Sequence, residues 1–259
     1  MASRDLIFAM LSDRGRIRRG NEDTCAASPL SGVFVVCDGM GGAAGGEVAS
    51  HLAAETFLSH LGRNGTRPAQ VEARIGAAVQ AANRAVFQQA QRTPQLTGMG
   101  TTLVGLVHAA AVRENDDAAA LWLVHVGDSR CYLWRDRNLE RLTEDHSLVE
   151  EQVRAGQITE AQAMESPMRN LITRAVGSQA TVEPEIHDFD PRPGDLYLLA
   201  SDGLTRDLTD DEIATILCRV PPVVTQAVLH STCRELVEAA NERGGGDNIT
   251  VLLVSLKRT

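Results

Sequence analysis

Five stretches of the chain set a carboxylate at the edge of an apolar run. Val33-Phe34-Val35-Val36-Cys37 ends on Asp38 and passes into Gly39, Met40 and Gly41. Leu196 to Ala200 leads to Ser201-Asp202-Gly203, and Leu121 to Val126 leads to Gly127-Asp128-Ser129. Asp247 closes the breaker Gly244-Gly245-Gly246 just before Ile249–Leu256, and Glu22-Asp23 comes ahead of the first long run. Any one of these acids has a plain explanation, because aspartate starts turns by bonding its own backbone. Several together ask for more, since carboxylates crowded at one sheet edge repel each other unless a cation stands between them. Oxygen ligands without cysteine or histidine select hard ions, magnesium or manganese, over zinc. The seven histidines agree, as none forms an HxxxH or HExxH pair, and His108 and His125 read as packed or surface residues.

The glycines after Asp38 admit a second chemistry. Gly39-Met40-Gly41-Gly42-Ala43-Ala44 fits the loose dinucleotide fingerprint G-x-G-x-x-A. That fingerprint needs an acid about 20 residues on, at the end of a second parallel strand. The nearest, Glu55, lies inside a helical Ala-Leu pattern, so the context fails.

The elements that must carry these acids are legible in outline. Strands are expected over Val33–Cys37, Thr102–Val107, Leu121–Val126, Cys131–Trp134, Leu196–Ala200 and Ile249–Leu256. The runs within 121–134, joined by Gly127-Asp128-Ser129, read as a hairpin. Apolar residues at helical spacing predict helices over 47–61 and 68–91, the second opening on Pro68. Ser147-Leu148-Val149-Glu150 and Thr209-Asp210-Asp211-Glu212 read as capping boxes. A last helix runs from about Val223 to Arg243 and stops at Gly244. Strands in sequence and helices in blocks favour an α+β layered fold over alternating βαβ units. The segment 145–175 has weak periodicity, broken by Gly156 and Pro167.

Composition narrows the class. At 259 residues, 43% hydrophobic and 23% charged, the chain is an ordinary globular one. Aromatics are only 3%, so the core is built from Val, Leu, Ile and Ala. A formal charge of -9 argues against a nucleic-acid or anionic-membrane binder, and Arg14, Arg16, Arg18 and Arg19 are too few to reverse it. Five scattered cysteines without a CxxC pair suit reduced thiols in the cytosol. Leu6 to Leu11 is too short for a signal peptide and no run reaches transmembrane length, so a soluble cytoplasmic protein is expected.

Taken jointly, IRRGNED (17–23), VVCDGMGG with GEVAS (35–50), GMGTTL (98–103), HVGDSRCYL (125–133), ITRAVG (172–177), ASDGLT (200–205) and GGGDNITVLLV (244–254) resemble the metal-dependent serine/threonine protein phosphatases of the PPM, or type 2C, class in their compact bacterial form. The resemblance runs from about Asp13 to Leu256. It implies an α+β fold, a four-layer α-β-β-α sandwich of two antiparallel sheets flanked by helices, as a single domain over 1–259 with a flap at about 145–175. It implies two manganese or magnesium ions: Asp38 bridges them, Asp202 and Asp247 complete one site, and Glu22 with the Gly39 carbonyl completes the other. Gly39 is then glycine because a side chain would crowd the ion. Asp23 holds a metal-bound water, Asp128 helps bind a third, weaker ion, and Arg18 binds the substrate phosphate. Thr101 and Thr102 support the sheet.

The implied reaction is hydrolysis of phosphoserine and phosphothreonine in proteins by a hydroxide held between the ions, without a covalent intermediate. A cognate Ser/Thr kinase and its substrates are the implied partners, and a monomer is expected. Two departures from the family stand out. Met40 occupies a position where eukaryotic members carry a histidine proposed as general acid. Arg206 replaces an acidic or amide residue and reads as a change to the surface near the cleft, not to the metals. The flap is either a mobile element or a fixed helix pair. Two other classes compete: an inactive binding module, whose signature is a lost metal carboxylate, and a phosphotransferase using Asp38 as covalent nucleophile. No carboxylate is lost, and the second aspartate of the latter class is here Met40.

Overall fold

A computed structural model of the chain describes residues 6–41, 45–62, 70–109 and 120–256. In chain order the elements are β1 (Leu6–Asp13), β2 (Asp23–Ser28), β3 (Val33–Met40), α1 (Gly45–Gly62), α2 (Val71–Arg92), β4 (Gly100–Thr101), β5 (Leu103–Ala109), β6 (Ala120–Val126), β7 (Arg130–Arg135) and β8 (Asn138–Arg141). There follow α3 (Leu148–Arg154), α4 (Glu160–Glu165), β9 (Glu185–Phe189), β10 (Leu196–Ala200), α5 (Asp202–Asp207), α6 (Asp210–Leu217), α7 (Gln226–Arg243) and β11 (Ile249–Leu256). Pro68 and Gly42 to Ala44 lie outside the described residues.

The central strands are apolar on both faces because each lies between two layers. In β3, Val33, Val35 and Cys37 meet α1 and α2, whereas Phe34 and Val36 meet the opposite sheet. In β10, Leu198 and Ala200 pack on α5, α6 and α7, while Tyr197 and Leu199 turn to the centre. One sheet runs β1-β11-β10-β7-β8 and the other β2-β3-β5-β6-β9, with β4 added to β3. Each pairing is antiparallel. The layers are therefore helix, sheet, sheet, helix, as expected.

Several details differ from the expectation. Residues 121–134 do not form a hairpin: β6 pairs with β5 and β9, whereas β7 pairs with β10 and β8 in the other sheet. Gly127-Asp128-Ser129 crosses between sheets, with Gly127 at φ +106°. Its added Cβ would stand 2.6 Å from Thr102, so the crossing needs glycine. The apolar start of the chain is an edge strand, β1 against β11. Thr209 and Glu212 form the capping box, but Ser147 forms only half of one, because the Glu150 carboxylate pairs with Arg141 at 2.9 Å. The last helix starts at Gln226, where the Thr225 side chain accepts from the Val228 amide.

Candidate metal centre

Asp38 stands where β3 leaves the sandwich, and its backbone is fixed from both sides. Its amide donates to Thr102 Oγ1, and its carbonyl accepts from Thr101 Oγ1 and the Thr102 amide, each at 2.8 Å. Thr102 Oγ1 also shares a 2.7 Å hydrogen bond with Ser129 Oγ, which ties Asp38 to the Asp128 crossing. The β2–β3 register sets Asp23 directly opposite Asp38, and the Gly39 amide donates to the Glu22 carbonyl at 3.2 Å. Asp202 opens α5, and Asp247 comes close because Gly203 has no side chain; a Cβ there would lie 1.9 Å from the Asn248 carbonyl.

Asn248 is a site residue that the motif reading passed over. Its Oδ1 accepts from the Glu22 amide at 2.8 Å, while its Nδ2 donates to the carbonyls of Arg14 and Gly20, both at 2.9 Å. One amide thus fastens the arginine-rich loop and Glu22 to the start of β11. Gly46 is another. A Cβ on it would meet Glu22 Oε2 at 2.6 Å and the Gly39 carbonyl at 2.7 Å, so this glycine keeps open the cradle between those two oxygens. At Gly39 the reason for glycine differs from the expected one. Its Cβ would strike the backbone of Gly46 at 2.1 Å and of Glu22 at 2.5 Å, so chain packing excludes it.

The acids strain against each other. Burial, reinforced by Asp23, Asp202, Asp128 and Asp247, holds the Asp38 carboxyl well above the usual range. Burial lifts Asp23 to about 7 even though Thr250 and Ser201 hydrogen-bond it, and Asp202 and Asp247 add to the rise. Asp128 is raised to about 8 by burial and by Asp202 and Asp145. Burial also raises Glu22 and Asp202, against the opposing charges of Arg18 and Arg206 respectively. Asp23 Oδ1, Asp128 Oδ1 and Asp202 Oδ1 are buried without a hydrogen-bond partner among the described residues. Orphaned carboxylate oxygens beside a glycine-lined cradle, all oxygen donors, fit hard divalent cations.

Known proteins share this sequence and fold. Residues 15–241 match the family model described as protein phosphatase 2C. The chain belongs to the protein phosphatase 2C family. It is 39% identical over 252 residues to the serine/threonine protein phosphatase PstP of Mycobacterium tuberculosis, covering 97% of this chain and 45% of that protein. It therefore spans about half the length of that mycobacterial relative. The serine/threonine phosphatase Stp of Listeria monocytogenes is 36% identical over 249 residues, covering 94% of this chain and 93% of Stp. The catalytic domain of PstP, solved in complex with two manganese ions, matches with TM-score 0.83 and 35% identity over 98% of this chain and 99% of that one.

Two arginines of this phosphatase 2C chain reach its acids. Arg18, half exposed on the loop before Glu22, donates from Nη2 to Asp247 Oδ2 at 2.8 Å. Arg206 does not merely alter the surface, contrary to the sequence reading. It stands one helical turn after Asp202 on α5, pairs with that carboxylate, and donates from Nη1 to Asp247 Oδ2 at 2.7 Å. The missed signal was the (i, i+4) spacing, visible only once Asp202 is known to begin a helix.

A second group of ligand-type atoms, His125, His146 and Glu185, lies within 4.8 Å. Its hydrogen bonds give it a different role. The Gly127 amide donates to His146 Nδ1 at 3.1 Å, so the proton of the neutral ring sits on Nε2, facing Glu185 Oε1 at 3.0 Å. His125 Nε2 is 2.9 Å from the Glu144 carbonyl, which can only accept. Both Nε2 atoms therefore carry protons and offer no lone pair to an ion. The stacked rings, 4.7 Å apart, support the Asp128 crossing instead, which agrees with His125 as a packed residue.

Proposed function

We propose that this acid cluster holds two divalent cations, manganese or magnesium, and that the chain uses them to hydrolyse phosphoserine and phosphothreonine esters in proteins. The observation that carries the reading is the convergence of Glu22, Asp23, Asp38, Asp128, Asp202 and Asp247, with three buried carboxylate oxygens left without partners among the described residues. Asp38 would be shared by both ions, Asp202 and Asp247 would hold one, and Glu22 with the Gly39 carbonyl would hold the other. Asp23 acts through water, fixed by the 2.7 Å bond from Ser201 Oγ to its Oδ2. Asp128 contributes to a third, weaker position.

When bound, such a pair of ions supplies Lewis acidity and a water acidified toward neutrality next to phosphorus. The Arg18 guanidinium fits two phosphate oxygens and offsets charge on the transferring group. Met40 has no proton to give, so the leaving alkoxide takes its proton from another group. Strands and threonines hold Asp38 rigidly, which favours positioning over movement in the bound state. Residues 145–175 form the flap of a single catalytic domain over 1–259 and help choose the substrate. Its ends meet at the Ser147–Ile172 bridge, while Met164, Met168 and Leu171 are exposed between them. The natural substrates are phosphoproteins, with a Ser/Thr kinase as the opposing enzyme.

A phosphothreonine peptide tests this directly. The protein is expected to release phosphate with manganese but not with EDTA, and Asp38→Asn is expected to lower the rate about a thousandfold, several kcal/mol of lost metal catalysis. Equal rates in EDTA and manganese would overturn the reading.

A further inference from the structure

The guanidinium of Arg206 lies between the two carboxylates assigned above to one ion. It pairs with Asp202 through Nη2 and with Asp247 through Nη1, the latter at 2.7 Å. Its charge is also felt by Asp128 and Asp38. Arg18 touches only one of that pair, Asp247. Among the described residues, Arg206 is thus the one side chain that pairs with both acids at once. It is anchored one turn along α5, and a third of its side chain faces solvent.

A planar fork that spans two carboxylates satisfies the same charge that a divalent ion would satisfy. An ion at these acids would share Asp202 Oδ2 and Asp247 Oδ2 with the guanidinium that already donates to them, two positive charges at close range that repel. We propose that Arg206 is a built-in counter-cation that competes with the metal for Asp202 and Asp247, so that loading this site requires its guanidinium to swing out to solvent. The proposal rests on the two-ion reading of the cluster. It has two consequences of opposite sign. Without metal, Arg206 quiets the repulsion between the acids and steadies the fold. With metal, its displacement costs affinity, so the site fills only at higher free ion concentration. By linkage, whatever stabilises the unloaded form weakens the apparent affinity for the ion.

The test is a manganese titration of the whole chain, followed by the electron paramagnetic resonance signal of free Mn²⁺, with thermal unfolding in EDTA and in excess manganese. Arg206→Gln is expected to tighten the weaker of the two binding steps about tenfold, close to the loss of one charge-assisted contact. It is expected to unfold at a lower temperature in EDTA and to gain more from manganese than the wild type. Arg206→Lys, which keeps the charge without the fork, should fall between the two and serves if the glutamine variant folds poorly. Arg234→Gln, an exposed arginine of α7, controls for net charge and should change neither quantity. Unchanged affinity in Arg206→Gln would overturn the competition, and weaker affinity would show that Arg206 orients the ligands instead. If the wild type itself binds no manganese, or Asp202→Asn binds as well as wild type, the two-ion reading fails and the proposal falls with it. Those outcomes are distinct from an Arg206 variant that binds like the wild type.

Discussion

Carboxyls that repel one another in a buried cluster keep their protons at pH values where free acids have lost them. Asp23 is raised to about 7 and Asp128 to about 8, chiefly by burial. An unfolded chain releases those protons near pH 4, so between pH 4 and 8 the metal-free fold binds more protons than the unfolded chain. Stability from these groups is present below pH 4 and is lost as pH rises toward 8. Cations favour the ionised form and reverse this sign. Thermal unfolding in EDTA is therefore expected to show a midpoint that falls from pH 5 to pH 8, while the gap to the manganese-saturated midpoint widens. A gap that stays constant with pH would contradict the assignment. At this scale the acids themselves were legible in the sequence, because Asp38, Asp128, Asp202 and Asp247 each follow or precede an apolar run beside a glycine and Glu22-Asp23 comes ahead of one. Asn248 and Arg206 were not. The partners of Asn248 lie more than 220 residues away along the chain, and the reach of Arg206 depends on a helix start that no periodicity marks.

The elements work by bringing glycine backbones close to the acids. Gly46 opens the first turns of α1, where any Cβ would meet Glu22 Oε2 and the Gly39 carbonyl. Gly46→Ala is expected to fold, since alanine favours a helix, yet to bind manganese about 10–100-fold more weakly, the cost of disturbing ligand orientation. Equilibrium dialysis reads that change. Thr209→Ala removes the cap of α6, which carries none of the clustered acids, and should lower the unfolding midpoint by about 2–4 °C, close to 1 kcal/mol, with manganese affinity unchanged. Strands buried on both faces were legible because their runs are wholly apolar. The 121–134 hairpin was misread because a two-strand pattern with a glycine turn looks the same whether its strands share a sheet or face each other across two. The edge strands β1, β2, β8 and β9 carry mixed patterns, and β1 and β9 pair with strands far along the chain.

Across the whole molecule, two sheets converge on one edge, and each supplies part of the acid set. Asp38 and Asp23 come from the six-stranded sheet, while Asp202 and Asp247 flank strands of the five-stranded one. Under the proposed reading, metal binding is thereby tied to the packing of the two sheets. Among the described residues no helix is long and apolar enough to cross a membrane. If Asp38 bridges two ions as proposed, the number of manganese equivalents bound per chain must differ between wild type, Asp38→Asn and Asp202→Asn. Two are expected for the wild type, a sharp loss of both for Asp38→Asn, and loss of only one for Asp202→Asn. Two tightly bound ions in Asp38→Asn would contradict the bridging role.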